Sequence, residues 1–161
     1  VNLYLPWFPV KNLKEAKDFY QERYASIYQK EQGYAYAICL KENNLPIGYV
    51  SIDLDEIHDL GYGLKKEYWH QGIVSEAVET VIQQAKKDNL CYLTATHDIK
   101  NIHSGNVMKK IGMHYCYSYK EQWMPKNRPV IFRMYQLNLD GKARIYQKYW
   151  HQYEHFIEEN V

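Results

Sequence analysis

Cysteine is scarce in this chain. Cys39, Cys91 and Cys116 are the only three in 161 residues, an odd set with no regular spacing to one another or to a histidine. That argues against a disulfide scaffold and against a Cys/His metal site. Each lies in a strand-like run, so the expectation is buried, reduced thiols and a reducing, cytoplasmic compartment. Long apolar runs are missing too. Nothing approaches the roughly 20 apolar residues of a membrane-spanning helix, and residues 1–10 hold no signal-like segment. No membrane partner is expected. Nor does one sign of charge dominate: 20 Lys and Arg against 19 Asp and Glu leave a formal +1, with the two signs interspersed. The basic stripe of a nucleic-acid binder is therefore absent, and no nucleic-acid partner is expected. There is no internal repeat or low-complexity tract. The length suits one domain with its own core.

What is present is organised around residues 68–77, Tyr-Trp-His-Gln-Gly-Ile-Val-Ser-Glu-Ala. Leu60 to Leu64 just before it reads as a short strand. Glu76 to Lys87 reads as a helix, because Ala77, Val78, Val81, Ile82 and Ala85 recur at helical spacing. A strand, a polar turn with one glycine and a helix make a geometry suited to anions. The first N–H groups of a helix lack partners within it and sit at its positive pole, and Gly72 lets the turn approach a ligand closely. The chemical reading is a pyrophosphate cradle of backbone amides from about Gln71 to Ser75. The competing reading is an ordinary strand-to-helix connection. Neither Gly-x-x-x-x-Gly-Lys-Ser/Thr nor Gly-x-Gly-x-x-Gly occurs.

Around this stretch the chain reads as follows. Pro6 and Pro9 mark an entry loop. Asn12 looks like a helix cap with Glu15 completing a capping box, and Leu13, Ala16, Tyr20, Tyr24 and Ile27 line one face of that helix. Tyr34 to Leu40 alternates as a strand, Lys41 to Pro46 is a hairpin turn, and Ile47 to Leu54 returns. Asp53, Asp55, Glu56, His58 and Asp59 form an acidic link into the strand at Leu60. After the central helix comes a strand at Leu90 to Thr96, and a strand–helix–strand order suggests local parallel pairing. Asn101 can cap a second short helix whose apolar face is Val107, Met108 and Ile111, with Gly112 at its end. Strands at Met113 to Lys120 and Pro129 to Leu139 follow. Asp140-Gly141 breaks the chain, and Lys142 to Ile157 reads as a final helix. The sum is α/β, a mixed α+β sheet.

Asn101, Ser104, Val107, Lys110 and Gly112 make a second motif. Together with residues 69–77 it resembles the GNAT acyltransferase superfamily, in particular the branch of ribosomal-protein N-terminal acetyltransferases. That branch carries Trp-Gly-Lys-Gly-Tyr-Ala-Thr-Glu-Ala and then Asn-x-x-Ser-x-x-Val-x-x-Lys-x-Gly-Phe. Here His70 stands in place of a glycine, Val74 in place of Gly or Ala, and Met113 in place of Phe. The resemblance covers roughly Pro6 to Leu139 and implies the GNAT fold, acetyl-CoA as acyl donor and an amine as acceptor, with no metal. It also implies a strand and a helix ahead of the helix at Asn12. The chain as given starts with Val and lacks them, so a trimmed front is expected. Residues 140–161 fall outside the shared pattern and are expected as a helical extension to the domain at 1–139, packed on that domain or on a second copy in a homodimer.

Acetyl transfer to an amine needs a base, because only the neutral amine attacks and alkyl ammonium groups have a pKa of about 10. It needs a donor for the developing oxyanion and a proton for the departing thiolate. The resemblance implies that backbone N–H groups near Leu64 and Lys65 bind the pantetheine arm on a splayed strand, against an alternative in which they pair within the sheet. Asp59 matches an acidic family position and is the first candidate base, ahead of Asp53, Asp55 and Glu56. Many relatives use a tyrosine acid where this chain has Met108, so Ser104 takes that role toward the sulfur. The alternative for Ser104 is a hydroxyl bonded to backbone. The coenzyme set is Leu64, Lys65, His70, Gln71, Gly72, Ile73, Val74, Ser75, Asn101, Ser104 and Lys110, with Lys109 as a further phosphate contact. A β-branched Val74 is expected to narrow the approach to the pyrophosphate. The dense tyrosines, among them Tyr20, Tyr24, Tyr115, Tyr117 and Tyr119, either line an acceptor site or pack a sheet.

The resulting expectation is an N-acetyltransferase that acts by direct attack in a ternary complex, with no cysteine nucleophile. A non-catalytic acyl-CoA-binding module is the rival, and an RNA-associated domain is disfavoured by the charge balance.

Overall fold

The computed structural model describes residues 2–25, 27–29 and 33–161. Helix α1 (Leu13–Tyr20) starts where the capping box predicts. The Asn12 side chain accepts the Glu15 N–H at 2.9 Å, and Glu15 in turn accepts the Lys11 N–H at 2.8 Å. Its expected apolar face is not a buried one. Leu13 and Tyr20 are exposed, and no α1 residue is buried. At Gln21–Ala25 the helix widens into a π turn, which breaks the 3.6-residue period on which that face depended. Among the described residues none ahead of α1 forms a strand; a 3₁₀ turn, Asn2–Tyr4, stands there.

Two sheets follow. In the first, β1 (Tyr34–Cys39), β2 (Pro46–Ile52) and β3 (Leu60–Leu64) run antiparallel in sequence order. In the second, β4 (Tyr92–Asp98), β5 (His114–Trp123), β6 (Arg128–Asn138) and β7 (His155–Phe156) lie in the order β4-β6-β5-β7, again antiparallel. The parallel pairing expected between β3 and β4 shrinks to a single bridge, Asp59 with Thr94. There Thr94 donates its N–H to His58 O (3.1 Å) and its hydroxyl to Ile57 O (2.8 Å). Beyond that point a side chain, not a backbone ladder, spans the gap: Tyr62 of β3 reaches helix α3 (Ile102–Lys110). A cleft therefore opens between the two sheets.

Helix α2 (Ile73–Lys87) closes the back of this cleft. It begins three residues earlier than its apolar periodicity suggests, because Gly72 takes φ +79° and supplies the turn directly. Val78, Val81, Ile82 and Ala85 are buried against Leu60, Leu93 and Ala95 in the main core. A second cluster gathers Tyr117, Tyr119, Phe132, Met134 and Tyr146 on the far sheet.

The chain after β6 departs most from expectation. Residues 142–157 are not one helix. Only α4 (Lys148–Gln152) is helical, and β7 then pairs with β5. The cause is capture by the sheet. Gln136 and Asn138 both donate to Arg144 O, Gln136 Oε1 accepts the Tyr146 N–H, and Tyr117 donates to Tyr146 O at 2.8 Å. Farther on, Glu158 takes a two-pronged contact from Arg133 and a hydrogen bond from Ser118. The spacing of Tyr149 and Tyr153, read as a long helical face, instead stacks both rings on Tyr119, at 4.7 and 5.2 Å.

The cysteines also depart from expectation. All three are free, but Cys39 and Cys91 are exposed and Cys116 is half-buried. Cys39 sits at a register shift in β1 and Cys116 in a bulge of β5, where the alternation that would bury them fails.

Helix α3 is pressed onto β4 through Gly105. A Cβ there would meet His97 Nε2 at 2.6 Å and Cε1 at 2.8 Å. His97 is buried and held by Nδ1 donating to Asp98 O at 2.8 Å, so it has no room to yield. Gly105→Ala is expected to cost about 1–3 kcal/mol through overpacking, a fall in Tm of roughly 2–4 °C for each kcal/mol. An unchanged melting temperature contradicts this packing.

Candidate functional site

The cleft between the sheets forms a cavity of about 690 Å³. One half is built from backbone. Lys65 donates its N–H to Ile47 O (2.8 Å), and Asp53 donates to Asp59 O (2.9 Å). With the register Leu64 to Gly48, odd-numbered residues of β3 therefore turn their N–H and C=O toward β2. Even-numbered residues turn theirs into the cleft. Leu64 N–H is thus directed at the cavity, while its carbonyl accepts the Trp69 indole N–H at 2.9 Å. Of the two amides predicted for a ligand, only that of Leu64 is directed at the cavity. That of Lys65 is not, because its N–H is spent within the sheet.

The predicted cradle is formed by the start of α2. Gly72 is the cap residue, with no side chain covering the turn, and its carbonyl accepts the Glu76 N–H at 3.1 Å. The amides of Ile73, Val74 and Ser75 lie in the first helical turn, where no acceptor exists within the helix. A Cβ on Gly72 would meet only Lys110 Nζ, at 3.9 Å. Lys110 thus brings a positive charge to the turn from the end of α3. Lys109, the other candidate, is exposed and does not border the cavity. Val74 packs against the main core as well as bordering the cavity, so its branch is not spent across the turn and the expected narrowing is eased.

His70 has φ +61°, a left-handed conformation costing a non-glycine residue about 1–2 kcal/mol. This accounts for the glycine preference at that position in the resembling motif. His70 packs edge-on to His103 at 4.7 Å, beside Trp69. Gln71 is exposed and reaches Glu67 O at 3.3 Å. Asn101 does not cap α3 with its side chain. Its backbone does the work, with its carbonyl accepting Ser104 N–H at 3.1 Å and its N–H donating to Asp98 O at 2.7 Å. Its side-chain amide borders the cavity.

The other half of the cavity holds the titratable groups. Asp59 sits where the two sheets part. Its Oδ1 is shut away from solvent with no hydrogen-bond partner. Burial, aided by the nearby Asp53 charge, pushes its pKa up to about 7. Ser104 faces Tyr62, whose hydroxyl donates to Ser104 O at 2.8 Å and lies 3.1 Å from Ser104 Oγ. Burial raises the Tyr62 pKa above the ordinary phenol range, so the group stays protonated. Tyr62, which borders the cavity, was not among the residues that sequence reasoning singled out. Tyr62 shares its face of β3 with the buried Leu60 and Leu64, and is the polar-tipped residue of the three.

The remaining wall is aromatic. Tyr119, Glu121 and Trp123 share one face of β5, joined by Tyr49 from β2 and by Tyr149 and Tyr153 from the tail. None of these was assigned to the site beforehand. Among the described residues no group of three His, Cys, Asp or Glu is placed to hold a metal ion, and no helix is long and apolar enough to cross a membrane.

One cleft thus carries outward amides and a helix N-terminus at one end and a shielded carboxyl at the other, an arrangement able to grip an anionic ligand and take a proton. Comparison with known proteins gives the same region a family. The family model described as "Acetyltransferase (GNAT) domain" matches residues 1–114. Solved structures share the fold. An acetyltransferase of the GNAT family from Bacillus anthracis aligns with TM-score 0.70 at 21% identity, over 87% of this chain and 82% of its own. Ribosomal-protein-S5-alanine acetyltransferase from Vibrio fischeri gives 0.69 at 21%, over 86% and 81%. The microcin C7 self-immunity acetyltransferase in complex with acetyl-CoA and AMP gives 0.69 at 17%, over 80% and 72%. The curated proteins give no match. Since the family model spans the cradle, the splayed β3 and the whole of α3, this chain belongs to the GNAT acetyltransferase family.

Proposed function

We propose that the chain is an acetyl-CoA-dependent N-acetyltransferase that moves the acetyl group to a primary amine by direct attack in a ternary complex. The observation that carries this reading is the pairing, across one cavity, of the outward Leu64 N–H with the unpartnered Asp59 carboxyl. The free amides of Ile73 to Ser75, the uncovered Gly72 turn and Lys110 fit a diphosphate. The Asn101 side chain fits an amide of the pantetheine arm. Acetyl-CoA supplies an activated thioester, and the chain's residues do the rest. At pH 8 a carboxyl of pKa about 7 is roughly nine-tenths ionised. Asp59 then accepts the ammonium proton, and the neutral nitrogen is free to attack. Leu64 N–H stabilises negative charge on the carbonyl oxygen as the carbon–nitrogen bond forms. As the carbon–sulfur bond breaks, Ser104 Oγ, itself hydrogen-bonded to Tyr62, passes a proton to the sulfur, and the second proton shed by the nitrogen as it becomes an amide restores the serine hydroxyl.

A binding module without catalysis would have no use for a carboxyl tuned to neutral pH and left without a partner. The test is free thiol release from acetyl-CoA with a panel of small amines and peptide N-termini. The reading predicts release that depends on an amine and rises with pH through about 7. Coenzyme binding with no release for any amine would leave only the module.

A further inference from the structure

The acceptor half of the cavity has a composition of its own. Tyr119, Tyr149 and Tyr153 form a cluster with ring centroids 4.7–6.2 Å apart and within 33° of parallel. Phe132 extends it from β6, 5.5 Å from Tyr119. Two carboxyls border this cluster, Asp59 where the sheets part and Glu121 two residues beyond Tyr119 on the same face of β5. Burial above all raises the Tyr119 and Tyr149 pKa values beyond the ordinary phenol range, and both carboxyls add to the rise at each ring. Burial raises the Glu121 pKa as well. Cations are missing from this half. Among the residues bordering the cavity Lys110 is the only Lys or Arg, and it lies at the cradle. Arg128 stands behind this wall, 5.6 Å from the Trp123 ring, and its charge is opposed by Asp98 at 3.5 Å; Arg23 lies over Trp7, 4.0 Å from its ring.

We propose that the acceptor is a diamine or polyamine, with one nitrogen delivered to Asp59 and a second, still protonated, held by Glu121 and the faces of the tyrosine cluster. The chemistry is selective in two ways. A second ammonium gains a carboxylate and aromatic faces, which attract cations through their quadrupoles. An acceptor bearing a carboxylate or phosphate would meet two like charges and no Lys or Arg in the lining of this half. For turnover this rests on the acetyltransferase reading above; for binding it does not.

The test compares 1,4-diaminobutane, spermidine, butylamine and 4-aminobutanoate. Each is followed by thiol release and, separately, by calorimetric binding to the CoA-loaded protein. The diamine and spermidine should exceed butylamine in kcat/KM by at least about tenfold, a preference of about 1.4 kcal/mol, carried mainly by KM. The aminocarboxylate should be poorest. Glu121→Gln should erase the preference by raising KM for the diamine and spermidine, and Tyr149→Leu should weaken it. Equal use of butylamine and 1,4-diaminobutane, or loss of both substrates alike in Glu121→Gln, overturns the proposal. So does acetylation of peptide N-termini with no binding of the diamines, a result that leaves the acetyltransferase reading standing. Diamine binding with no thiol release from any amine does the reverse.

Discussion

Replacing Asp59 with asparagine should lower kcat/KM by about 10²–10⁴-fold, the usual contribution of a positioned general base, without weakening the fold at pH 8. The two effects share one cause. The carboxyl is shielded and unpartnered, with a pKa raised to about 7 from 3.8. Between about pH 4 and 7 the folded state therefore holds a proton that the unfolded state has released. Stability falls as pH rises through that window and levels off above it. Each pKa unit is worth about 1.4 kcal/mol, so the whole effect amounts to a few kcal/mol, reduced where water reaches the half-buried residue. Asparagine has no charge to desolvate. Its variant should lack this slope and, at pH 8, match or exceed the wild type in urea or thermal unfolding. The same titration shapes the rate. Wild-type kcat/KM should climb with pH and reach half its plateau near pH 7, and the asparagine variant should lose that limb. A variant that keeps the limb would move the base elsewhere, with Asp53 the next candidate.

The second large effect lies at the cradle. Gly72 has φ +79° and faces open space, with Lys110 Nζ the nearest atom to a Cβ. Gly72→Val forces a β-branched side chain into a left-handed conformation, at about 1–2 kcal/mol or more. It also puts methyl groups where an anion would approach the amides of Ile73 to Ser75. The expected outcome is a rise in the coenzyme Kd of about 10–100-fold, measured by calorimetry on protein shown by circular dichroism to be folded. Turnover at saturating coenzyme should change much less, since Asp59 and Leu64 are untouched. An unchanged Kd would mean that the diphosphate does not sit on this turn.

These two predictions draw on features of different legibility. The cradle could be read from sequence because its chemistry is that of the main chain. A strand, a glycine and a helix start have the same unpaired amides in any fold. Asp59 was legible because it precedes a short strand whose neighbour motifs set the register of the comparison. The choice between Leu64 and Lys65 was not legible. It depends on which parity of β3 faces β2, and a one-residue shift reverses it. The acceptor wall was hidden for a different reason. Tyr49, Glu121 and Tyr149 come from β2, β5 and the tail, and only the strand order β4-β6-β5-β7 with the tail folded back brings them together. The tail itself misled. Tyr149 and Tyr153 have helical spacing, but their partner is Tyr119, and the Gln136 and Asn138 bonds to residues 144–146 hold the preceding segment out of a helix.

The central claim is that main-chain amides at the start of α2 and on β3 hold the acyl donor against Asp59. Calorimetric titration of the folded protein with acetyl-CoA tests it most directly, run beside desulfo-CoA and 3′-dephospho-CoA. The account predicts one site per chain that tolerates loss of the thiol and of the 3′-phosphate better than the Gly72→Val change. Absence of any heat at millimolar acetyl-CoA would contradict it.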